Sequence, residues 1–221
     1  EISCSLVGSE MCIRDSYLGY HADNRIRRES SSGGVCKTLI IDSLKNGMVD
    51  GAYSLKCTDS FPFAQGEFYT REHIPSFGDM PNSVYHSVMA CTEIDRIQPC
   101  KRLMLVGTAC QLRALNSIIK DKCDEVVRVC IFCKQQKTLD STRFLAKMMG
   151  TSVPPNLKFR PRYRGDGWPG IVRVDGFELP YSRAAQIPFG KRLWTVPGCG
   201  ICGDSFCLLY TSDAADDRIS V

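Results

Sequence analysis

A short apolar run from Lys101 to Val106, a Gly107-Thr108-Ala109-Cys110-Gln111 loop and a stripe of Leu112, Leu115, Ile118 and Ile119 at helical spacing follow one another without a break. A second apolar run, Val126 to Phe132, comes next. Two strands joined through a helix pair in parallel, because the crossover needs the length of a helix to return the chain to the same edge. This order constrains the fold more than any other feature of the chain. A helix near Thr138–Met149, closed by Gly150, follows. Upstream, Val35 to Asn46 puts Cys36, Leu39, Ile40 and Leu44 on one stripe, stops at Gly47 and leads into a strand-like Val49 to Leu55. Downstream, Ile171 to Val174 and Phe177 to Tyr181 flank Asp175-Gly176, a two-residue hairpin signal. The stretch from Thr58 to Met80 has mixed polarity and reads as a long loop with short elements. The expected class is α/β: a mixed sheet with a parallel strand–helix–strand core plus a C-terminal β-hairpin segment. Two lobes are expected, 17–98 with a Ser-Gly-Gly helix start and 99–206 with the four candidate ligand cysteines.

Thirteen cysteines in 221 residues are many for an ordinary reduced enzyme, and their spacing lacks the dense regularity of a secreted disulfide scaffold. A reduced, cytoplasmic, metal-using protein fits this usage. Four stand out: Cys110 in the Gly-Thr-Ala-Cys loop, Cys133 after an apolar strand, and the pair Cys199 and Cys202 in Gly198-Cys199-Gly200-Ile201-Cys202-Gly203. A Cys-x-x-Cys turn sets two thiolates on one metal or one cluster face, and flanking glycines let backbone N–H groups approach the sulfurs. The same turn serves structural zinc, and Cys110 and Cys133 also read as buried thiols. Cys110 falls in the first turn of its helix, where the dipole favours thiolate.

Ser30-Ser31-Ser32-Gly33-Gly34 immediately precedes the first long helix. Hydroxyls, small residues and unpaired amides at a positive helix end suit a phosphate or pyrophosphate; the alternative is an N-cap on a flexible loop. No Gly-Lys-Ser/Thr follows, and no Gly-x-Gly-x-x-Gly is present, so neither standard nucleotide loop applies. No run reaches the length of a membrane-spanning helix.

Residues 1–16 and 207–221 resemble translations of transposon-type sequencing adapters, which makes both ends non-native by expectation. Without them, 26 basic and 18 acidic residues leave a formal net charge of +8 rather than +4. A basic surplus favours anionic partners or simply solvates the surface.

The Ser-Ser-Ser-Gly-Gly helix start, Ser83-Val84-Tyr85, Gly-Thr-Ala-Cys-Gln, Phe132-Cys133, Phe159-Arg160 with Gly167-Trp168-Pro169-Gly170, and Cys199-x-x-Cys202-Gly203-Asp204 occur in the order of one family. In these motifs the chain resembles the coenzyme F420 hydrogenase/dehydrogenase beta-subunit family. The loop departs from that family at Ala109, where proline is usual. The resemblance implies a flavin-dependent iron–sulfur oxidoreductase that passes electrons between a [4Fe–4S] cluster, FAD and an acceptor such as coenzyme F420. By the same resemblance Cys110, Cys133, Cys199 and Cys202 are the cluster ligands. Ser31, Ser32, Gly33 and Gly34 cradle the FAD pyrophosphate, with Lys37 as counter-charge or solvated cation. Gly107 and Thr108 approach the flavin ring; Ser83 and Tyr85 are further cofactor contacts, Tyr85 alternatively a core residue. Trp168 stacks on flavin or substrate or anchors its loop, and Arg160 meets an anionic substrate group or forms a surface ion pair. No side chain is assigned a catalytic role, since the cofactors carry the chemistry. The expected partner is a redox protein of the ferredoxin, hydrogenase or dehydrogenase type, with no nucleic acid and no membrane span. The competing expectations are a zinc-stabilised basic binding module and a non-catalytic electron-transfer subunit of a larger complex.

Overall fold

The computed structural model describes residues 19–84, 86–119, 121–133, 135–150, 160–163, 171–174, 177–180, 182–183, 188 and 190–202. Both expected adapter-derived ends lie outside these residues. Helices α1 (Asn24–Glu29) and α2 (Val35–Lys45) lead into strands β1 (Gly51–Cys57) and β2 (Ala64–Thr70). After a long connection come β3 (Cys100–Thr108), α3 (Ala109–Ile119), β4 (Cys123–Ile131) and α4 (Leu139–Met148). The short strands β5 (Arg160–Tyr163), β6 (Ile171–Val174) and β7 (Phe177–Pro180) follow.

The main sheet has the order β2-β1-β3-β4. β3 pairs in parallel with both β1 and β4, whereas β1 and β2 form an antiparallel hairpin. The fold is therefore the α/β class expected, with a mixed sheet around a parallel β3–α3–β4 unit. The sheet joins strands from both sides of the expected lobe boundary at 98/99. β5, β6 and β7 form a separate antiparallel sheet, with Val174 paired to Phe177 across the expected hairpin, whose two turn residues lie outside the described set.

The central strand explains why the apolar run from Leu103 to Val106 does not alternate with polar residues. Leu103 and Leu105 join Tyr53, Leu112, Leu115 and Ile119 in a core on the α3 side. Met104 and Val106 join Ile40, Ile41, Leu44, Val49, Ala52 and Tyr69 in a second core on the α2 side. Period-two alternation thus sends successive apolar residues to opposite faces, and both faces are covered by a helix. Each fully buried leucine of this strand contributes about 1.5–3 kcal/mol.

Three expectations change. The stretch from Thr58 to Met80 holds a seven-residue strand, β2, rather than only loop. β1 runs from Gly51 to Cys57, two residues later than expected, because Val49 is buried in the turn that enters it. Leu39 and Ile118 are exposed, while Ile41 takes the inward place beside Ile40, so each helix buries a narrower stripe than its leucines and isoleucines suggest.

Candidate functional site

In open α/β sheets ligands gather at the carboxyl ends of the parallel strands. Here β3 ends at Thr108, β4 ends beside it at Ile131, and the two residues are register partners. Cys110 follows the first end by two residues, Cys133 the second by two. The segment from Gln135 to Thr138 then runs against residues 194–199 through backbone bonds: Thr138 N–H donates to Trp194 O at 2.7 Å and Val196 N–H to Gln136 O at 2.9 Å. This pairing brings in Cys199, inside the short helical turn Pro197–Gly200, and Cys202, two residues beyond it.

The electrostatics of Cys133 record the convergence. Burial pushes its thiol up to about 11, and the sulfurs of Cys199, Cys110 and Cys202 push in the same direction, opposed by a hydrogen bond from the Gln135 amide. Three sulfurs that penalise a negative charge on a fourth are a donor set that a cation would favour as thiolates, because a bound metal inverts the local pKa logic. A second amide, Gln136 N–H, donates to Cys199 Sγ at 3.4 Å. Amide donors aimed at cysteine sulfurs are what an iron–sulfur centre uses to set its potential. Among the described residues no three histidine, cysteine, aspartate or glutamate side chains stand close enough for a single metal ion. A zinc tetrahedron with bonds of about 2.3 Å needs its sulfurs roughly 4 Å apart; an iron–sulfur cube, with a separate iron behind each thiolate, holds them wider.

Two residues that sequence reasoning passed over organise this edge. Lys137 is fully buried, and its ammonium donates to Gln135 Oε1 at 3.1 Å, Leu193 O at 3.0 Å and Thr195 Oγ1 at 2.9 Å. It ties the post-β4 segment to the strand of chain that leads to Cys199. Burial lowers its pKa, as does Arg192, while Cys199 raises it. A lysine amid polar neighbours carries no sequence signal of burial. Gln111 folds its side chain over the β3–α3 corner: Oε1 accepts from Thr108 N–H and from Thr108 Oγ1, both at 3.0 Å. It also covers Gly107, where a Cβ would lie 3.2 Å from Oε1. Thr108 Oγ1 lies 3.4 Å from Cys110 Sγ. Gly107 and Thr108, expected to approach a flavin, are thus engaged by Gln111 and Cys110.

The Ser-Gly loop reaches the same edge of the sheet. Residues 77–83 bridge it to the end of β1: Cys57 N–H donates to Asp79 O at 2.7 Å and Lys37 Nζ to Met80 O at 2.7 Å and Phe77 O at 3.1 Å. Ser83 N–H donates to Ser31 Oγ at 3.3 Å. Lys37 and Ser31 therefore hold this bridging segment, and Ser31 is buried while Ser32 is exposed. Gly33 and Gly34 have φ of +78° and +82°. A Cβ on Gly34 would meet Ser30 Oγ at 2.9 Å and Ile26 Cγ2 at 3.1 Å, so the loop requires glycine there twice over. Gly34 caps α2 without a side-chain hydrogen bond, leaving the first-turn amides to other acceptors.

Arg160 opens β5, paired with Arg173. Tyr85 and Trp168 lie outside the described residues.

Residues 16–72 match the family described as coenzyme F420 hydrogenase/dehydrogenase, beta subunit N-term. Over this stretch, about a quarter of the chain, the sequence is similar to that family. The matched stretch contains the Ser-Gly loop and Lys37, and the four cysteines lie beyond it. Among solved structures, a chain of the F420-reducing [NiFe] hydrogenase complex from Methanosarcina barkeri, from a xenon derivatization study, superimposes with a TM-score of 0.57 at 16% identity. The match covers 83% of this chain and 63% of that one, so the present chain spans under two thirds of its relative's length. At that identity the likeness speaks for the fold, which extends well past the matched family stretch. No curated protein matches the chain.

Proposed function

We propose that this chain is the flavin- and cluster-binding part of an iron–sulfur oxidoreductase, with Cys110, Cys133, Cys199 and Cys202 holding a [4Fe–4S] cluster and the Ser-Gly loop holding the pyrophosphate of FAD. The observation that carries this reading is that Cys110, Cys199 and Cys202 all lie near enough to Cys133, beyond the carboxyl ends of the parallel strands, to disfavour its negative charge. The family likeness over residues 16–72 supports the redox class, and the F420-reducing complex to which the fold is similar supports coenzyme F420, or another two-electron acceptor, as the partner molecule.

When bound, FAD supplies two-electron chemistry and the cluster single-electron transfer. The chain's own residues supply position. Ser32, Gly33 and Gly34 present a hydroxyl and first-turn amides to an anionic group, while Ser31 and Lys37 fix the 77–83 segment around it. Gln135 and Gln136 amides steady the sulfurs, and Lys137 holds the Cys199 arm in place. The exposed Ile131, Phe132, Leu193 and Ile201 surround the cysteines and offer an apolar rim to a cofactor ring or a redox partner subunit.

Anaerobic reconstitution with iron and sulfide tests the proposal. The expected product is brown, absorbs broadly near ~400 nm and carries about four irons per chain, as iron–sulfur ligation by four cysteines requires. Cys133→Ser is expected to lose most of that absorbance. A colourless protein that instead takes up one zinc per chain would replace this reading with a structural metal site.

A further inference from the structure

Cys100 and Cys123 open β3 and β4, are direct register partners, and place their sulfurs 3.2 Å apart. Both are thiols, and both are half-buried. They stand at the amino ends of the strands. Eight residues of extended chain separate Cys100 from Thr108, about 26 Å at ~3.3 Å per residue, so this pair cannot share a centre with Cys110 and Cys133.

We propose that Cys100 and Cys123 form a second redox site, a cross-strand dithiol that closes to a disulfide by exchange with a small-molecule disulfide. Neighbouring strands lie about 4.8 Å apart, within the Cα separation of roughly 4.4–6.8 Å that a disulfide spans. Forming a bond of about 2.05 Å from sulfurs already in contact needs a side-chain movement of roughly 1 Å. The pair lies in an open depression whose rim includes Lys101 and Lys122 on one side of the charge balance and Asp121 and Asp124 on the other. The two lysines and two aspartates leave this lining without a net charge, and the opening lets a small disulfide such as oxidised glutathione reach a sulfur.

The exchange has two steps. One thiolate attacks a sulfur of the reagent, forming a mixed disulfide and releasing one reduced glutathione. The second thiol, after losing its proton to solvent, attacks the mixed disulfide at the protein sulfur and releases the second. The protein loses two electrons and two protons, and one oxidised glutathione becomes two reduced ones. Burial, the hydrogen bond with Cys123, and the charges of Cys123, Asp50 and Asp124 push the Cys100 thiol up to about 12. Closure is therefore expected to be slow at neutral pH and to speed up by about tenfold per pH unit up to pH 9, since the thiolate is the nucleophile.

The test treats the full chain with graded ratios of oxidised to reduced glutathione, blocks remaining thiols with an alkylating reagent, and maps the peptides without reduction. The expected result is a Cys100–Cys123 crosslink that appears as the ratio rises, reverses with excess reduced glutathione, and accumulates no glutathione adduct at either residue. In Cys100→Ser the remaining Cys123 should instead trap a stable adduct, because its resolving partner is gone. The proposal is overturned if both residues of the wild-type chain stay alkylated across the whole series, or if the wild-type chain accumulates the same adducts as the variant. Should Cys100→Ser fail to fold, the wild-type peptide map decides alone.

Discussion

His86 is fully buried, with Nε2 2.7 Å from Pro62 O and Nδ1 2.9 Å from Thr142 Oγ1. Pro62 O only accepts, so Nε2 carries the proton and Nδ1 accepts from the threonine hydroxyl, which fixes a neutral tautomer. The Phe63 ring covers it edge-on, and Gln136 donates to its carbonyl, which links it to the segment that carries the Cys199 contact. Burial lowers its pKa below the ordinary 6.5, only partly offset by the Pro62 bond. The unfolded chain thus binds this proton more readily than the folded one. The resulting stability is fully present above about pH 6.5 and is lost progressively as the pH falls toward the lower folded value. Urea unfolding at a series of pH values should show this decline in the wild type. His86→Gln should flatten it while costing about 1–2 kcal/mol at pH 7.5 through the broken hydrogen bonds. An unchanged slope in the variant would assign the acid sensitivity to other groups. As a sequence position His86 is indistinguishable from His21 and His73; only the packing separates it from them.

At the scale of elements, the parallel core was legible because β3, α3 and β4 each carry their own period: continuous apolar residues where both faces are covered, and three-to-four spacing where one is. β2 was not legible, and Gly66 shows why. Ala64, Gly66 and Phe68 share one face while Tyr69 is buried on the other, and a glycine registers as a break in alternation although it is buried. The glycine is required by close approach. A Cβ there would collide with the Tyr53 hydroxyl and lie 2.6 Å from both Ala90 O and Thr92 O, the two carbonyls that accept from that hydroxyl. Gly66→Ala is expected to cost about 1–3 kcal/mol by overpacking. Adding Tyr53→Phe should recover part of the loss by removing the atom in collision. A double-mutant cycle in urea checks this: strictly additive losses would mean that the tyrosine hydroxyl is not what the methyl meets.

For the whole molecule, the cysteine site draws on three separated stretches of chain, ending β3, following β4, and entering from residues 193–202, whereas the Ser-Gly loop belongs to α2 and the hairpin. The sequence order of these motifs suggested a common site but held no sign of Lys137, Gln111 and the 77–83 bridge, which act through contacts between residues 2 to 58 positions apart. Under the proposed reading, two cofactor arms on independent supports should fail independently. Gly34→Ala forces a side chain into a backbone with φ of +82° and against Ser30 Oγ, distorting the start of α2 while leaving the cysteine edge untouched. Strain of this kind costs about 1–3 kcal/mol, enough to lower flavin affinity roughly two- to tenfold if half of it falls on the bound state. Cys199→Ser removes one thiolate and leaves the loop intact. The expected outcome, read by flavin fluorescence after denaturation and by iron content on the same samples, is a flavin-poor, iron-replete Gly34→Ala protein and an iron-poor Cys199→Ser protein that keeps its flavin. Parallel loss of both cofactors in folded samples of each variant would mean that the two arms form a single cooperative unit, and the separate-support reading would fall with it.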